Sequence, residues 1–339
     1  MRGLVLAALV CCSAAVVAQQ KWTPQLTGVT ARLRGISAVN DRVVWASGAN
    51  GTVVRTTDGG DSWEMLPVPG AEQLDFRDID AFSSSTAYIL SIGNGEASRI
   101  YKTTDGGKQW ALQLANKDPK IFLDAMAFWS EERGVAFSDS ADGQFVIFTT
   151  VNGGRSWERV PAESLPPALP NEGAYAASGT NVATFGSDLV WIGTTASRVL
   201  SSADRGRTWW VSKTPLPTSA AAGIFSIAFR SPTHGIVVGG DYEKEGEAVD
   251  NAAVTTDGGK TWMLSKGLTG FRSAIAFLPG SKSTWAAVGP LGIDLSLDDG
   301  RTWKAIGTGG GFHTFSFSPR GRRGWGAGNR GVIARVEGF

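Results

Sequence analysis

"TTDGGDSW" occupies residues 56–63, and near-copies of it recur along the chain. They are TTDGGKQW (103–110), TVNGGRSW (150–157), SADRGRTW (202–209), TTDGGKTW (255–262) and SLDDGRTW (296–303). The Trp that ends each box falls at 63, 110, 157, 209, 262 and 303, in steps of 41 to 53 residues. A repeat of roughly 40–50 residues suits a four-stranded propeller blade. Between the boxes lie short apolar alternations such as FRDIDAF (76–82), TAYILSIG (86–93) and SRIYKTT (98–104). These read as strands, and the Gly, Asn, Asp and Ser between them read as turns.

Every blade reads alike. An inner strand is small and apolar (ISAV, IDAF, AMAF, SIAF, AIAF, FSFS), and a second strand carries an aromatic residue at Trp45, Tyr88, Trp191, Trp285 or Trp325. A third strand runs into the box and a fourth starts at the box Trp. The expected fold is all-β, a seven-bladed β-propeller over residues 19–339. Its blades fall near 31–69, 72–116, 120–162, 172–214, 222–267, 271–307 and 312–338. The last lacks a fourth strand. WTPQL (22–26) resembles the post-box strands WEML, WALQL and WMLSK, so it is expected to complete that blade. Closing the ring removes exposed strand edges, and a monomer is expected.

Composition narrows the function. Arg2, the apolar run LVLAALV and Val16-Val17-Ala18 before Gln19 read as an export signal over residues 1–18. The run is too short to span a bilayer, and no later stretch is a candidate. Both cysteines, Cys11 and Cys12, lie in this segment, and Leu9-Val10 make a poor lipoprotein box. The mature chain is therefore expected to be secreted or periplasmic, without lipid anchor, disulfide or thiolate ligand. Without Arg2 the basic and acidic residues number 31 each, which argues against nucleic-acid binding through bulk charge. The only histidines are His234 and His313, so neither a metal site nor a cofactor is expected.

The boxes read as structural turns: glycines take positive φ, Asp and Ser/Thr bond to nearby N–H groups, and Trp buries a large face. The pattern S/T-x-D-x-G-x-S/T-W resembles the Asp-box, or BNR repeat, of sialidases and sortilin-type receptors, with Gln109 and Asn152 departing from it. The mature chain also resembles the photosystem II assembly and stability factor family, secreted or lumenal seven-bladed propellers. That likeness rests on inner strands such as FRDIDAF, on the boxes and on one-domain length. EGAYAASGT (172–180) and IVVGGDY (236–242) resemble motifs of a bacterial subgroup labelled oxidoreductase or hydrolase.

Turns alternate between the two faces of an up-and-down blade. The face opposite the boxes is the expected functional mouth, because binding groups sit on loops held by a rigid scaffold. Inner-strand entries place Arg34, Arg77, Asp124, Glu172, Arg272 and His313 there. Second-strand exits add Asp139, Asp142, Asp241 and Tyr242, beside an acidic loop (241–251) that could take a cation. The Pro-rich PAESLPPALP (161–170) is expected to link blades and fold across the mouth beside Glu172. GAGNRG (326–331) lacks a following helix and reads as a turn, and His234 reads as an exposed turn residue.

Two functions are open. One is a binding or assembly scaffold that takes a protein or glycan at a polar mouth through Arg34, Arg77, Arg272, His313 and Asp124. The other is a glycoside hydrolase using Asp139, Glu172 and Asp241 as acid and base or nucleophile. Its sialidase-like form would set Arg34, Arg77 and Arg272 on a substrate carboxylate, with Tyr242 as nucleophile and Glu172 beside it. No Arg-Ile-Pro motif accompanies that set.

Overall fold

The computed structural model describes residues 20–307 and 311–338, which form seven four-stranded antiparallel sheets. The signal-like residues 1–18 lie outside the described residues. Six sheets use four consecutive strands each. The seventh takes Phe312–Phe317, Arg323–Gly328 and Ile333–Glu337 and is completed by Lys21–Gln25. Lys21 pairs with Glu337 and Gln25 with Ile333. Trp22 stacks on Phe312 at 5.0 Å and tilts against Phe315 at 5.9 Å. The ring is thus closed by the segment that resembled a post-box strand. Among the described residues, no helix is long and apolar enough to cross a membrane.

The second-strand aromatics hold the blades together. Trp45, Tyr88, Trp191, Trp285 and Trp325 are all buried. Three of them hand their polar atom to the next blade. Trp45 Nε1 donates to Ser83 O at 3.0 Å, Tyr88 Oη to Glu131 O at 2.8 Å and Trp191 Nε1 to Gly258 O at 2.8 Å. These three rings therefore pack at a blade interface and keep their hydrogen bond there, whereas the Trp325 indole N–H has no partner.

The boxes join third and fourth strands. In the first, Asp58 Oδ1 accepts from Ser62 N at 2.9 Å and Thr56 Oγ1 at 2.7 Å, and Asp58 Oδ2 accepts from Ser62 Oγ at 2.5 Å. Gly59 and Gly60 take φ of 84° and 93°. Both departures keep the backbone bond of the turn. Asn152 keeps the backbone bond from Ser156 N at 3.0 Å and donates Nδ2 to Ser156 Oγ at 2.8 Å, reversing one donor. Asp105 still accepts from Gln109 N at 3.0 Å.

One blade departs from the expected plan. The fourth inner strand is Val182–Phe185, and the residues before it form a segment that dips into the central channel. Arg77 Nη1 donates to Ala176 O at 2.7 Å and Arg34 Nη1 to Ala177 O at 3.4 Å. Deeper in, Ser178 Oγ donates to Ser273 O at 2.8 Å. Gly179 has φ +71°, and a Cβ there would lie 2.2 Å from Asp78 Oδ1, so only glycine fits. Ala174–Ala177 line the mouth and Ser178–Thr180 line the channel behind it, so this segment is a plug between the two.

Candidate functional site

The mouth is made by a repeated irregularity. Five inner strands carry a β-bulge at their entry, with the register shifting across residues 34, 77, 124, 225 and 313. A bulge re-aims the side chain at the extra position. Here it turns Arg34, Arg77, Asp124, Phe225 and His313 into one cavity of about 430 Å³. The same cavity is lined by Asp139, Tyr175, Tyr242, Glu245 and Phe271. Arg34, Arg77, Asp124, Asp139, Tyr242 and His313 thus meet on the face expected from turn alternation.

One wall is cationic. Asp75 accepts from Arg77 Nε at 2.9 Å and lies 3.2 Å from Arg32 Nη2. Arg34 has no carboxylate within ion-pair distance among the described residues, and its Nε has no hydrogen-bond partner. Burial, then the neighbouring Arg77 and Arg32, lower its pKa to about 9, so it stays charged at neutral pH. Burial and the field of Arg34 lower His313 to about 3, which keeps its imidazole neutral.

The second wall is aromatic. Tyr175 stacks on Phe225 at 3.8 Å with planes 5° apart, Tyr242 meets both edge-on at 6.1 Å, and Phe271 packs edge-on to Phe225 at 4.6 Å. Burial, aided by Tyr242 and Asp241, raises the Tyr175 phenol to about 12. The third wall is acidic. Asp124 is buried and Asp139 half-buried. Burial raises both carboxyls, and Asp139 adds repulsion to Asp124.

Other expected residues sit elsewhere. Glu172 is sealed beneath the rim, where Oε1 accepts from Arg198 Nε at 2.9 Å and Thr194 Oγ1 at 2.7 Å. Its Oε2 accepts from Leu169 N at 2.8 Å and from Arg198 Nη2. Arg272 turns into its own blade, with Nε donating to Asp294 Oδ2 at 2.7 Å, and its side chain is 1% exposed. Asp241 accepts from Glu243 N at 2.9 Å, inside its own turn. Neither the glycosidase trio nor the three-arginine clasp is therefore assembled in the mouth. Asp142 is exposed and pairs with Lys120 at 2.7 Å.

The Pro-rich linker stays on the rim rather than crossing the mouth. Ala168 N donates to Gly143 O at 3.2 Å and Pro167 O accepts from Arg198 Nη2 at 3.1 Å. His234 is buried rather than exposed, its Nε2 3.1 Å from Asp299 O beside Trp285. GAGNRG ends in a single turn at Asn329–Gly331, as expected. A wider depression of about 990 Å³ opens on the box face, lined by turns and by Arg320, Arg322 and Arg323. Arg320 and Arg322 are exposed, and Arg323 pairs with Glu337 at 2.8 Å, so it lacks the buried, converging groups of the mouth.

The closed ring and its turns define a seven-bladed Asp-box propeller with a bulge-built mouth. Residues 14–159 match the family described as photosynthesis system II assembly factor YCF48. The structure is similar to that of YCF48 bound to D1 peptide, with a TM-score of 0.66 and 18% identity over 93% of this chain and 96% of that one. It is similar to YCF48 from Cyanidioschyzon merolae, with a TM-score of 0.64 and 19% identity over 93% and 98% of the two chains. The WD40 β-propeller domain of Doa1 aligns with a TM-score of 0.66 and 12% identity over 95% and 98%. No curated protein matches the chain by sequence. The chain is thus a propeller resembling the photosystem II assembly factors.

Proposed function

We propose that this propeller is a non-enzymatic assembly scaffold that captures a segment of a protein partner in its mouth. The observation that carries this reading is the bulge ring, which gathers Arg34, Arg77, Asp124, Phe225 and His313 from five blades into one cavity. A peptide offers backbone carbonyls to arginines and apolar side chains to aromatic rings, and the mouth presents both. Arg34 and Arg77 already take carbonyls from the plug, the groups an extended peptide would offer. The likeness to a YCF48 structure solved with a D1 peptide supports the same reading. Residues 1–18 support export, and the scaffold would then act outside the cytoplasm.

The test is capture of partners from the extracytoplasmic fraction, with Arg77→Glu compared with wild type. Reversal of a mouth charge should weaken capture, most at low salt, since exposed charges act over about 10 Å at 0.1 M ionic strength. Arg77 also holds Asp75 and the plug carbonyl of Ala176, so the variant should lose some stability, and capture is compared only on protein shown to be folded by circular dichroism. Equal capture by the folded variant contradicts the reading. Mass spectrometry of the exported protein should find Gln19 at its N-terminus; retention of residues 1–18 contradicts export by cleavage.

A further inference from the structure

Asp124 is an exception in this fold. The other buried carboxylates are held: Asp78 accepts from Ile79 N and Met126 N, both at 2.7 Å, while Glu172 faces Arg198 and Asp294 faces Arg272. Asp124 is 1% exposed, and neither of its carboxylate oxygens has a well-formed hydrogen bond: the Ala174 and Asp139 N–H groups lie near it, but they donate to Asp139 Oδ1 and Phe122 O instead. Leaving a buried carboxylate unpaired is costly. The bulge nevertheless aims it into the mouth. Asp139 lies beside it, with Oδ1 accepting from Ala174 N at 3.3 Å. Among the described residues no arginine or lysine pairs with either acid; Arg77 is held by Asp75 and Ala176 O, and Arg34 by Ala177 O.

We propose that Asp124 and Asp139 form a subsite for an organic cation, the ammonium or guanidinium group of a lysine or arginine side chain on the captured segment. This rests on the reading of the mouth as a peptide site. The cation supplies the donors that Asp124 lacks, and charge-assisted bonds of this kind are the strong ones. Burial raises both carboxyls, and repulsion from Asp139 raises Asp124 further, a penalty that a bound positive charge removes. Phe122, Tyr175 and Phe225 line the same cavity, and aromatic faces attract organic cations. A hard metal ion fits less well: it takes about six to eight oxygen ligands, and no group of three or more metal-ligating side chains occurs among the described residues. The segment would carry both signs, with acceptors for Arg34 and Arg77 and a cation for the acids.

The test uses calorimetric titration of the full chain with phenethylammonium chloride and with neutral 2-phenylethanol. Wild type should bind the amine saturably and the alcohol not at all. Asp124→Asn and Asp139→Asn should each weaken amine binding by about ten-fold or more, as expected for loss of a charged hydrogen bond. Asp139 is half-buried, so its variant keeps the test open if Asp124→Asn fails to fold. Arg320→Gln, an exposed residue on the box face, should change amine binding by less than about two-fold, because it lies outside the mouth and its charge is screened by salt. Equal amine binding by folded Asp139→Asn, equal binding of the alcohol, or no binding of the amine overturns the subsite. Partner capture that still depends on Arg77 in that case leaves the scaffold reading standing. Amine binding without Arg77-dependent capture overturns the scaffold and keeps the subsite.

Discussion

Replacing Glu172 by Gln should destabilise the protein by about 3–5 kcal/mol, the cost of breaking a buried ion pair from one side. The magnitude follows from four donors that converge on one carboxylate. Arg198 Nε and Thr194 Oγ1 point at Oε1 from 2.9 and 2.7 Å, and Leu169 N and Arg198 Nη2 point at Oε2. A glutamine must turn its NH₂ toward one of those donor pairs, so donors face donors. Arg198 would also lose its counter-charge while its side chain is only 10% exposed. The double variant Glu172→Met with Arg198→Met removes both charges and should recover at least about half of the loss, because paired removal is often near neutral. Urea unfolding followed by tryptophan fluorescence and circular dichroism measures both. A Glu172→Gln protein within about 1 kcal/mol of wild type would refute the structural role, which lies far above the range of ordinary surface changes. So would a stable variant that loses partner capture.

Trp22→Ala should cost about 2 kcal/mol, less than a fully buried Trp, since Trp22 is half-buried but stacked on Phe312; unchanged unfolding would argue against closure of the ring by residues 21–25. Hydrogen bonds from Ser62 and Thr56 hold the Asp58 carboxyl well below its usual range. Its contribution is therefore full above about pH 4 and is lost as pH falls below that. Asp58→Asn should flatten this acid limb of the stability profile, and an identical limb would contradict it. Asp80 behaves oppositely: burial pushes its carboxyl up to about 7. Between about pH 4 and 7 the folded chain keeps a proton that the unfolded chain has released, so stability falls as pH rises through that window. Asp80→Asn should make this fall shallower, leaving the share of Asp78, Asp124 and Asp139, whose carboxyls burial also raises, and should raise the midpoint at pH 8; an unchanged slope would contradict the Asp80 contribution.

The fold was legible because one motif solves one local problem six times. Each box needs a turn with positive φ and a hydrogen-bonded Asp or, in the third, Asn152, so its letters recur wherever that geometry recurs. Arg34, Arg77, Asp124 and His313 were legible as mouth residues because they precede an alternating apolar run at a fixed place in the blade. Phe225 occupies the same bulge, yet an apolar residue there looks like one more core position. Tyr175 and Phe271 hide for the same reason. Glu172 and Arg272 read as mouth residues because a sequence shows where a chain position falls and not which way its side chain turns. Their partners, Arg198 and Asp294, lie 26 and 22 residues away, in strands with no motif to link them. The fourth blade misled because its entry segment is recruited into the channel, so its inner strand starts ten residues after Glu172.

The face that binds is the central claim, and site-directed photocrosslinking tests it most directly. A benzophenone side chain placed at Tyr242, which lines the mouth and is 44% exposed, reports on that face; one placed at Leu297, in the last box and 59% exposed, reports on the other. Irradiation in the extracytoplasmic fraction should yield a protein adduct from position 242 that disappears with Arg77→Glu, and none from position 297. An adduct from position 297 alone, or one from 242 that Arg77→Glu leaves unchanged, would contradict the account.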